Sequence, residues 1–215
     1  MSGPIRLAGS DLGPRAHVCA FFHHRDEEYD VLLPFIKEGL ELGEKAVHTI
    51  DPHRHEQHRD RLKSAGIDVD STLASGQLEV RDWSSTHLRN GRFDRHGTLE
   101  LFQSLIRKAS RAGFPRARFV THMEWALEAE LDANALLEYE AMANESWMRD
   151  NPSNNPVICS YDLNRFSGDV VVDVLRTHPM VIIGGRLREN PFFLPPDEFL
   201  EELHGRQPAP LKRVG

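Results

Sequence analysis

Two periods of hydrophobicity alternate along the chain. The run Val18-Cys19-Ala20-Phe21-Phe22 is apolar throughout, the pattern of a strand covered on both faces. Beyond the polar His23-His24-Arg25-Asp26, residues Tyr29, Leu32, Leu33, Ile36 and Leu40 share one face at helical spacing. Pro34 predicts a kink in that helix unless it lies in the first turn, and Gly43 predicts its stop. The alternation then repeats. Ala46-Val47-His48-Thr49-Ile50 reads as a second strand, followed by Asp51 as a cap and Pro52 at the first position of a helix ending near Ala65-Gly66. Leu78-Glu79-Val80 alternates apolar with polar and predicts a weaker strand near a sheet edge.

The polar stretch from Asp82 to His96 carries Trp83 and Phe93 and is expected to cover the end of the sheet. Leu99, Phe102, Ile106 and Ala109 mark a helix, and Ala117 to Met123 a strong strand. Leu136, Tyr139, Ala143 and Trp147 form the buried stripe of a long helix from Asp132 to Met148. Asn151 to Pro156 breaks the pattern before a fifth strand, Val157-Ile158-Cys159-Ser160-Tyr161. Asp169 to Arg176 poses a conflict, because a helix is due there while Val170-Val171-Val172 favours a strand. Met180-Val181-Ile182-Ile183 is the last strand, and a short helix from Glu198 to Leu203 follows a Pro-rich stretch. Six strands separated mainly by helices predict one three-layer α/β domain with a mostly parallel sheet over 15–204. Segments 1–14 and 205–215 are expected to be flexible. In such a sheet the carboxyl ends of the strands are the first place to seek a site.

Composition leaves this reading intact and narrows the partners. With 40% hydrophobic and 27% charged residues, the 215-residue chain is of ordinary globular make-up. It has no apolar run approaching the roughly 20 residues of a membrane span and no secretory signal at its start, so a cytoplasmic location is expected. Cys19 and Cys159 fit buried thiols of a reducing compartment, although neighbouring strands would allow them to be bridged. The net charge of -7 gives no global attraction for nucleic acid. The His53 to Arg61 stretch, basic but interrupted by acids, reads as a solvated helix face.

The turn after the first strand should carry glycines and a lysine if this were a phosphate-binding domain. It reads Phe21-Phe22-His23-His24-Arg25-Asp26-Glu27-Glu28, with neither, and three consecutive acids would oppose a triphosphate. Gly184-Gly185 follows the last strand and reads as turn chemistry. Magnesium-dependent nucleotide hydrolysis is therefore not expected. Nor is a metal, heme or other cofactor, since CxxC, HExxH and CxxCH spacings are all missing.

Polar groups nevertheless collect at strand ends. His17 and Cys19 share a strand face; His48, Glu124 and Asp162 lie in or just after other strands. Trp125 and Tyr161 supply apolar surface beside them, Tyr161 with a hydroxyl for one directional contact, and His178 precedes the last strand. Cys19 with His17 or His48 and an acid can be written as a triad, but Ser160 lacks the GxSxG elbow, and same-face groups need not be within proton-transfer reach. Reversible binding of a small organic ligand by His17, Cys19, His48, Glu124, Trp125, Tyr161, Asp162 and His178 is the expectation. An enzyme using the same cleft, and a scaffold that binds only proteins, are the alternatives.

A set of short motifs then adds to this picture: His17-x-Cys19 with Phe21-Phe22, Glu27-Glu28, Gly39-Leu40-x-x-Gly43-Glu44, Gly76-Gln77-Leu78, Gly91-x-Phe93-Asp94, Glu124-x-x-Leu127, Tyr139-Glu140, Cys159-x-Tyr161-Asp162, Phe166, Thr177-His178-Pro179 and Asn190-Pro191-Phe192. Together they span nearly the whole domain and resemble the MEDS sensory domain of methanogens and methylotrophs, found also in the dichloromethane dehalogenase regulator. The resemblance implies a fold related to the RecA and KaiC ATPases without their phosphate-binding loop, and a role in sensing small organic compounds or signalling to a regulatory protein. The chain has no room for an additional helix-turn-helix domain, so a freestanding sensor or adaptor, without direct nucleic-acid or membrane binding, is expected.

Overall fold

The computed structural model describes residues 3–14, 16–149, 151, 153–207, 210–211 and 214. The opening segment departs from the expectation of flexibility. Strands β1 (Ile5–Leu7) and β2 (Ser10–Leu12) pair as an antiparallel hairpin, and Ile5, Leu7 and Leu12 are buried. Its two-residue turn, Ala8-Gly9, holds both residues at positive φ, the geometry that matches strand twist in a tight hairpin. Three-residue strands are too short to show a period, so no alternation announces them in the sequence.

The six expected strands all form. They are β3 (His17–Phe22), β4 (Lys45–Ile50), β5 (Leu78–Asp82), β6 (Ala117–His122), β7 (Val157–Asp162) and β8 (Met180–Ile183), all parallel. A further strand, β9 (Arg186–Glu189), turns back antiparallel on β8 through Gly184-Gly185, both at positive φ. The sheet order is β5-β4-β6-β7-β3-β8-β9, with β5 at one edge as its alternating pattern predicts.

Alternation along each strand sorts side chains to two faces. Val18, Ala20 and Phe22 join Leu32 and Phe35 of α1 (Arg25–Glu41), Leu62 of α2 (His55–Ser64), Val69 of α3 (Val69–Ala74) and the hairpin. Cys19 and Phe21 join the opposite cluster, with Phe102 of α4 (Arg95–Arg111), Leu127 of α5 (Trp125–Glu128), Leu136 of α6 (Ala133–Arg149), Val174 of α7 (Gly168–Thr177) and Phe199 of α8 (Pro196–His204). The domain is thus a three-layer α/β sandwich with one apolar core on each side of the sheet. We call the two sides the α1 face and the α6 face.

Two conflicts in the sequence resolve in favour of the helix. Pro34 lies inside α1 on its exposed side, where water can satisfy the carbonyl that its missing amide leaves free. The valine run lies in α7, because Val170, Val174 and Thr177 recur at helical spacing and all three are buried. The stretch from Asp82 to His96 is not open loop. It folds into two turns of 3-10 helix, with Trp83, Thr86 and His87 buried.

Part of the motif set has a packing explanation. The buried Arg118 guanidinium donates to Glu44 at 2.5 Å and to the Phe35 carbonyl at 2.6 Å, while Arg116 donates to Glu44 at 2.9 Å. A Cβ at residue 39 would meet Arg118 Cδ at 2.6 Å, so Gly39 makes room for this ion cluster. Among the described residues no helix is long and apolar enough to cross a membrane. At the chain end Pro210 bridges to Asp132 and the Leu211 amide donates to the Leu131 carbonyl; residues 208, 209, 212, 213 and 215 of the expected flexible tail lie outside the described residues.

Candidate functional site

Both faces of the sheet carry a buried carboxylate, and each sits on the apolar stripe of a helix. On the α6 face it is Glu140, between Leu136 and Ala143, and it is fully buried. Strand alternation aims His17 of β3 and Cys159 and Tyr161 of β7 at it. His178, at the end of α7, closes the group. The Tyr161 hydroxyl donates to Glu140 Oε1 at 2.5 Å. Glu140 Oε2 lies 3.4 Å from His17 Nε2, 3.3 Å from His178 Nε2 and 3.7 Å from Cys159 Sγ. Cys159 Sγ and His17 Nε2 are 3.4 Å apart.

Burial, then the neighbouring His178, lower the pKa of His17 to about 4 despite the pull of Glu140. Burial alone would raise Glu140, but His178 and His17 outweigh it and hold the carboxyl well below its ordinary range. Burial and Glu140 together push the Cys159 thiol and the Tyr161 phenol well up. A cavity of about 10 Å³, lined by His17, Glu140, Cys159, Thr121 and Met123 among others, adjoins the cluster; it is about the size of one water.

On the α1 face the acid is Glu28, one helical turn before Leu32. It accepts from Ser160 Oγ at 2.7 Å and from Arg25 Nη1 at 2.5 Å, and lies 3.0 Å from His122 Nε2. Arg25 also pairs with Glu124, which follows β6. Burial would raise Glu28, but His122, Arg25 and Ser160 bring it well below the ordinary carboxylate range. Arg25 is held charged by Glu28 and Glu124 against the opposing effect of burial. Next to this group runs a second chain of bonds, Tyr29 hydroxyl to His58 Nδ1 at 2.8 Å and His58 Nε2 to His48 Nδ1 at 2.9 Å. Burial, followed by His122, lowers His48 to about 3. Several buried polar atoms here have no protein partner: His48 Nε2, His122 Nδ1, Glu124 Oε2 and Arg25 Nε.

The turn that precedes α1 shows what replaces a phosphate cradle. His24 Nδ1 accepts from the Glu27 amide at 3.1 Å, and the Glu27 carboxylate accepts from the His23 amide at 2.8 Å. The helix start is capped by its own side chains.

The eight residues singled out from the sequence therefore do not share one cleft. His17, Tyr161 and His178 meet around Glu140 on the α6 face. His48 and Glu124 lie on the α1 face. Trp125 enters the α6-face core, where the His87 ring stacks on it at 4.3 Å and Phe93 approaches at 4.7 Å. Cys19 stands in register with Cys159 on the neighbouring strand, yet both thiols are free, and Cys19 faces the Met180 carbonyl at 3.7 Å. Asp162 is half-buried and accepts from the Asn164 amide at 2.9 Å, a turn bond. The residues at the centre of each cluster, Glu140 and Glu28, stand with Cys159 in the motif set but were not among the eight, nor were Arg25 and His122. A carboxylate on the apolar stripe of a helix was the signal in both cases, since an acid there must be paired.

Fold and site together define a three-layer α/β domain with a self-capped turn after its first long strand and a buried charged centre on each side of the sheet. Residues 16–179 match the family model described as MEDS, the methanogen/methylotroph, DcmR sensory domain, and the chain belongs to this sensory-domain family. One relative, the transcriptional repressor DcmR of Methylorubrum extorquens, is 24% identical over 173 residues. That alignment takes in 80% of this chain and 62% of the repressor, so the chain spans less than two thirds of that relative's length.

Proposed function

We propose that the chain is a sensory module that binds a small organic molecule at the carboxyl ends of β4, β6 and β7 and reports it to a regulatory partner protein. The observation that carries this reading is the α1-face cluster of Arg25, Glu28, His122 and Glu124, with buried polar atoms left over. Its His122 ends β6, beside His48 of the neighbouring β4, and the onward connections of these two strands run in opposite directions, β4 to the edge strand β5 and β6 to β7. Such switch points are where open α/β sheets hold ligands. Membership of a sensory family supports the reading, and the named relative, a repressor, supports a regulatory output. Two free thiols fit a reducing cytoplasm.

Calorimetry and thermal shift with one- and two-carbon alcohols, amines and haloalkanes test it. A saturable response in the intact chain, lost in Glu124→Gln while the fold persists, is the expected result. A folded chain that responds to none of them but retains a regulator through purification favours the scaffold alternative, and conversion of a compound to product favours an enzyme.

A further inference from the structure

The Glu140 cluster differs from its counterpart in one respect that points to a ligand. His17, Glu140, Cys159 and His178 each bring one donor atom to a common point, and all four atoms lie within 4.8 Å of one another. Zinc bonds of about 2.0–2.3 Å in a tetrahedron require donor-to-donor edges of about 3.3–3.7 Å. Of the six edges, the four given above, 3.3, 3.4, 3.4 and 3.7 Å, lie in that range, and the other two are no longer than 4.8 Å.

The outer contacts have the same logic. His178 Nδ1 lies 3.0 Å from the Val174 carbonyl and 2.9 Å from Thr177 Oγ1, contacts that hold the ring with Nε2 turned toward Glu140. His178 Nε2 is fully buried, lies 3.3 Å from Glu140 Oε2, and has no hydrogen-bond partner of good geometry. Glu140 Oε1 is occupied by the Tyr161 hydroxyl, which leaves Oε2 as the single inward ligand atom. Outer-shell bonds of these two kinds fix metal-ligating histidines and carboxylates.

We propose that this cluster is a structural site for a zinc-class divalent ion, held by His17 Nε2, His178 Nε2, Cys159 Sγ and Glu140 Oε2. One thiolate and one carboxylate neutralise the dication, so a closed apolar core carries no net charge there. The α1-face cluster has no such need, because Arg25 already supplies a permanent cation. The ligands come from β3, α6, β7 and the end of α7, so the ion ties the central strands to the α6 layer. No short spacing announces it, since the nearest two ligands in sequence are 19 positions apart. The assignment is independent of what binds at the strand ends.

The test strips the intact chain with a chelator and refills it with cobalt(II) or zinc(II), with magnesium(II) as control. One cobalt per chain is expected, with intense visible bands of tetrahedral geometry and a thiolate-to-cobalt charge-transfer band. Cys159→Ser should abolish that band and Cys19→Ser should leave it. A folded chain that takes up no cobalt, or shows only the pale octahedral spectrum, overturns the proposal, as does a thiolate band that survives Cys159→Ser. Because Glu140→Gln threatens the fold, Tyr161→Phe serves as the milder variant: zinc affinity should fall about 10- to 100-fold with circular dichroism unchanged. Unaltered affinity in Tyr161→Phe removes Glu140 from the ligand set and with it the site.

Discussion

The two buried carboxylates occupy similar positions on opposite sides of one sheet, yet their surroundings are built on different principles. Glu28 is answered by a guanidinium, which is charged at every accessible pH and is shared with a second acid, Glu124. Glu140 is answered by two imidazoles, a thiol and a phenol, none of which carries a permanent charge. The first cluster is a closed ion network with spare hydrogen-bonding atoms. The second is a set of convergent donors. Adjacent residues of β7 feed the two, Ser160 to Glu28 and Tyr161 to Glu140, so a single strand divides its polar side chains between two chemistries.

The contrast is broken most forcefully by removing the permanent cation. Arg25→Ala leaves Glu28 and Glu124 without their shared partner and should cost about 3–5 kcal/mol in urea unfolding. A loss below about 1 kcal/mol would mean that Arg25 is not the counterion the geometry implies. Next come the single hydrogen bonds to each acid. Ser160→Ala and metal-free Tyr161→Phe should each cost about 1.5–3 kcal/mol, the range for a buried bond to a charged group.

Acid should act through the buried neutral histidines on both sides. His48 is lowered to about 3 by burial and His122, and His87 to about 3 by burial. Burial and then His48 hold His58 well below its ordinary value. Each folded pKa lies below the unfolded value of 6.5, so the unfolded chain binds the extra proton. Stability is whole above about pH 6.5 and declines as pH falls toward 3, by about 1.4 kcal/mol per pH unit for each group. Urea midpoints between those limits should show this slope, and His87→Phe should remove one proton from it if the variant stays folded. The smallest effect expected is a coupling. In a double-mutant cycle, Ser160→Ala and Tyr161→Phe should add to within about 0.5 kcal/mol, because the side chains share no partner. A larger coupling energy would show that the two clusters communicate through β7.

Much of the fold was legible because burial on both faces of a parallel strand leaves a largely apolar run, continuous in Val18 to Phe22 and Met180 to Ile183 and interrupted by a few polar residues in β4, β6 and β7. Strand β5 was legible as an edge by its alternation. The hairpin β1–β2 and strand β9 were not. Ile5-Arg6-Leu7 is too short to show a period, and Arg186-Leu187-Arg188-Glu189 has one buried position in four. For the site, the sequence shows polar residues gathering at strand ends, but their assignment to a single cleft did not follow from them. Residues two apart on one strand share a face; residues on different strands have no common reference until the sheet is ordered.

What the sequence determined by itself is the inventory: which stretches are buried strands, which helices carry an apolar stripe, and that the turn after the first long strand lacks the glycines and lysine of a phosphate cradle. Alternation even fixed that His17 and Cys19 share one side of β3, and Cys159 and Tyr161 one side of β7. Only the tertiary structure decided that β3 and β7 are neighbours, that α6 lies over them, and that Glu140 therefore meets His17 from 123 positions away. The reason is physical. Periodicity is a local property of the backbone, whereas strand order and helix placement are set by how whole layers bury their faces, and a site assembled from four elements exists only once they have.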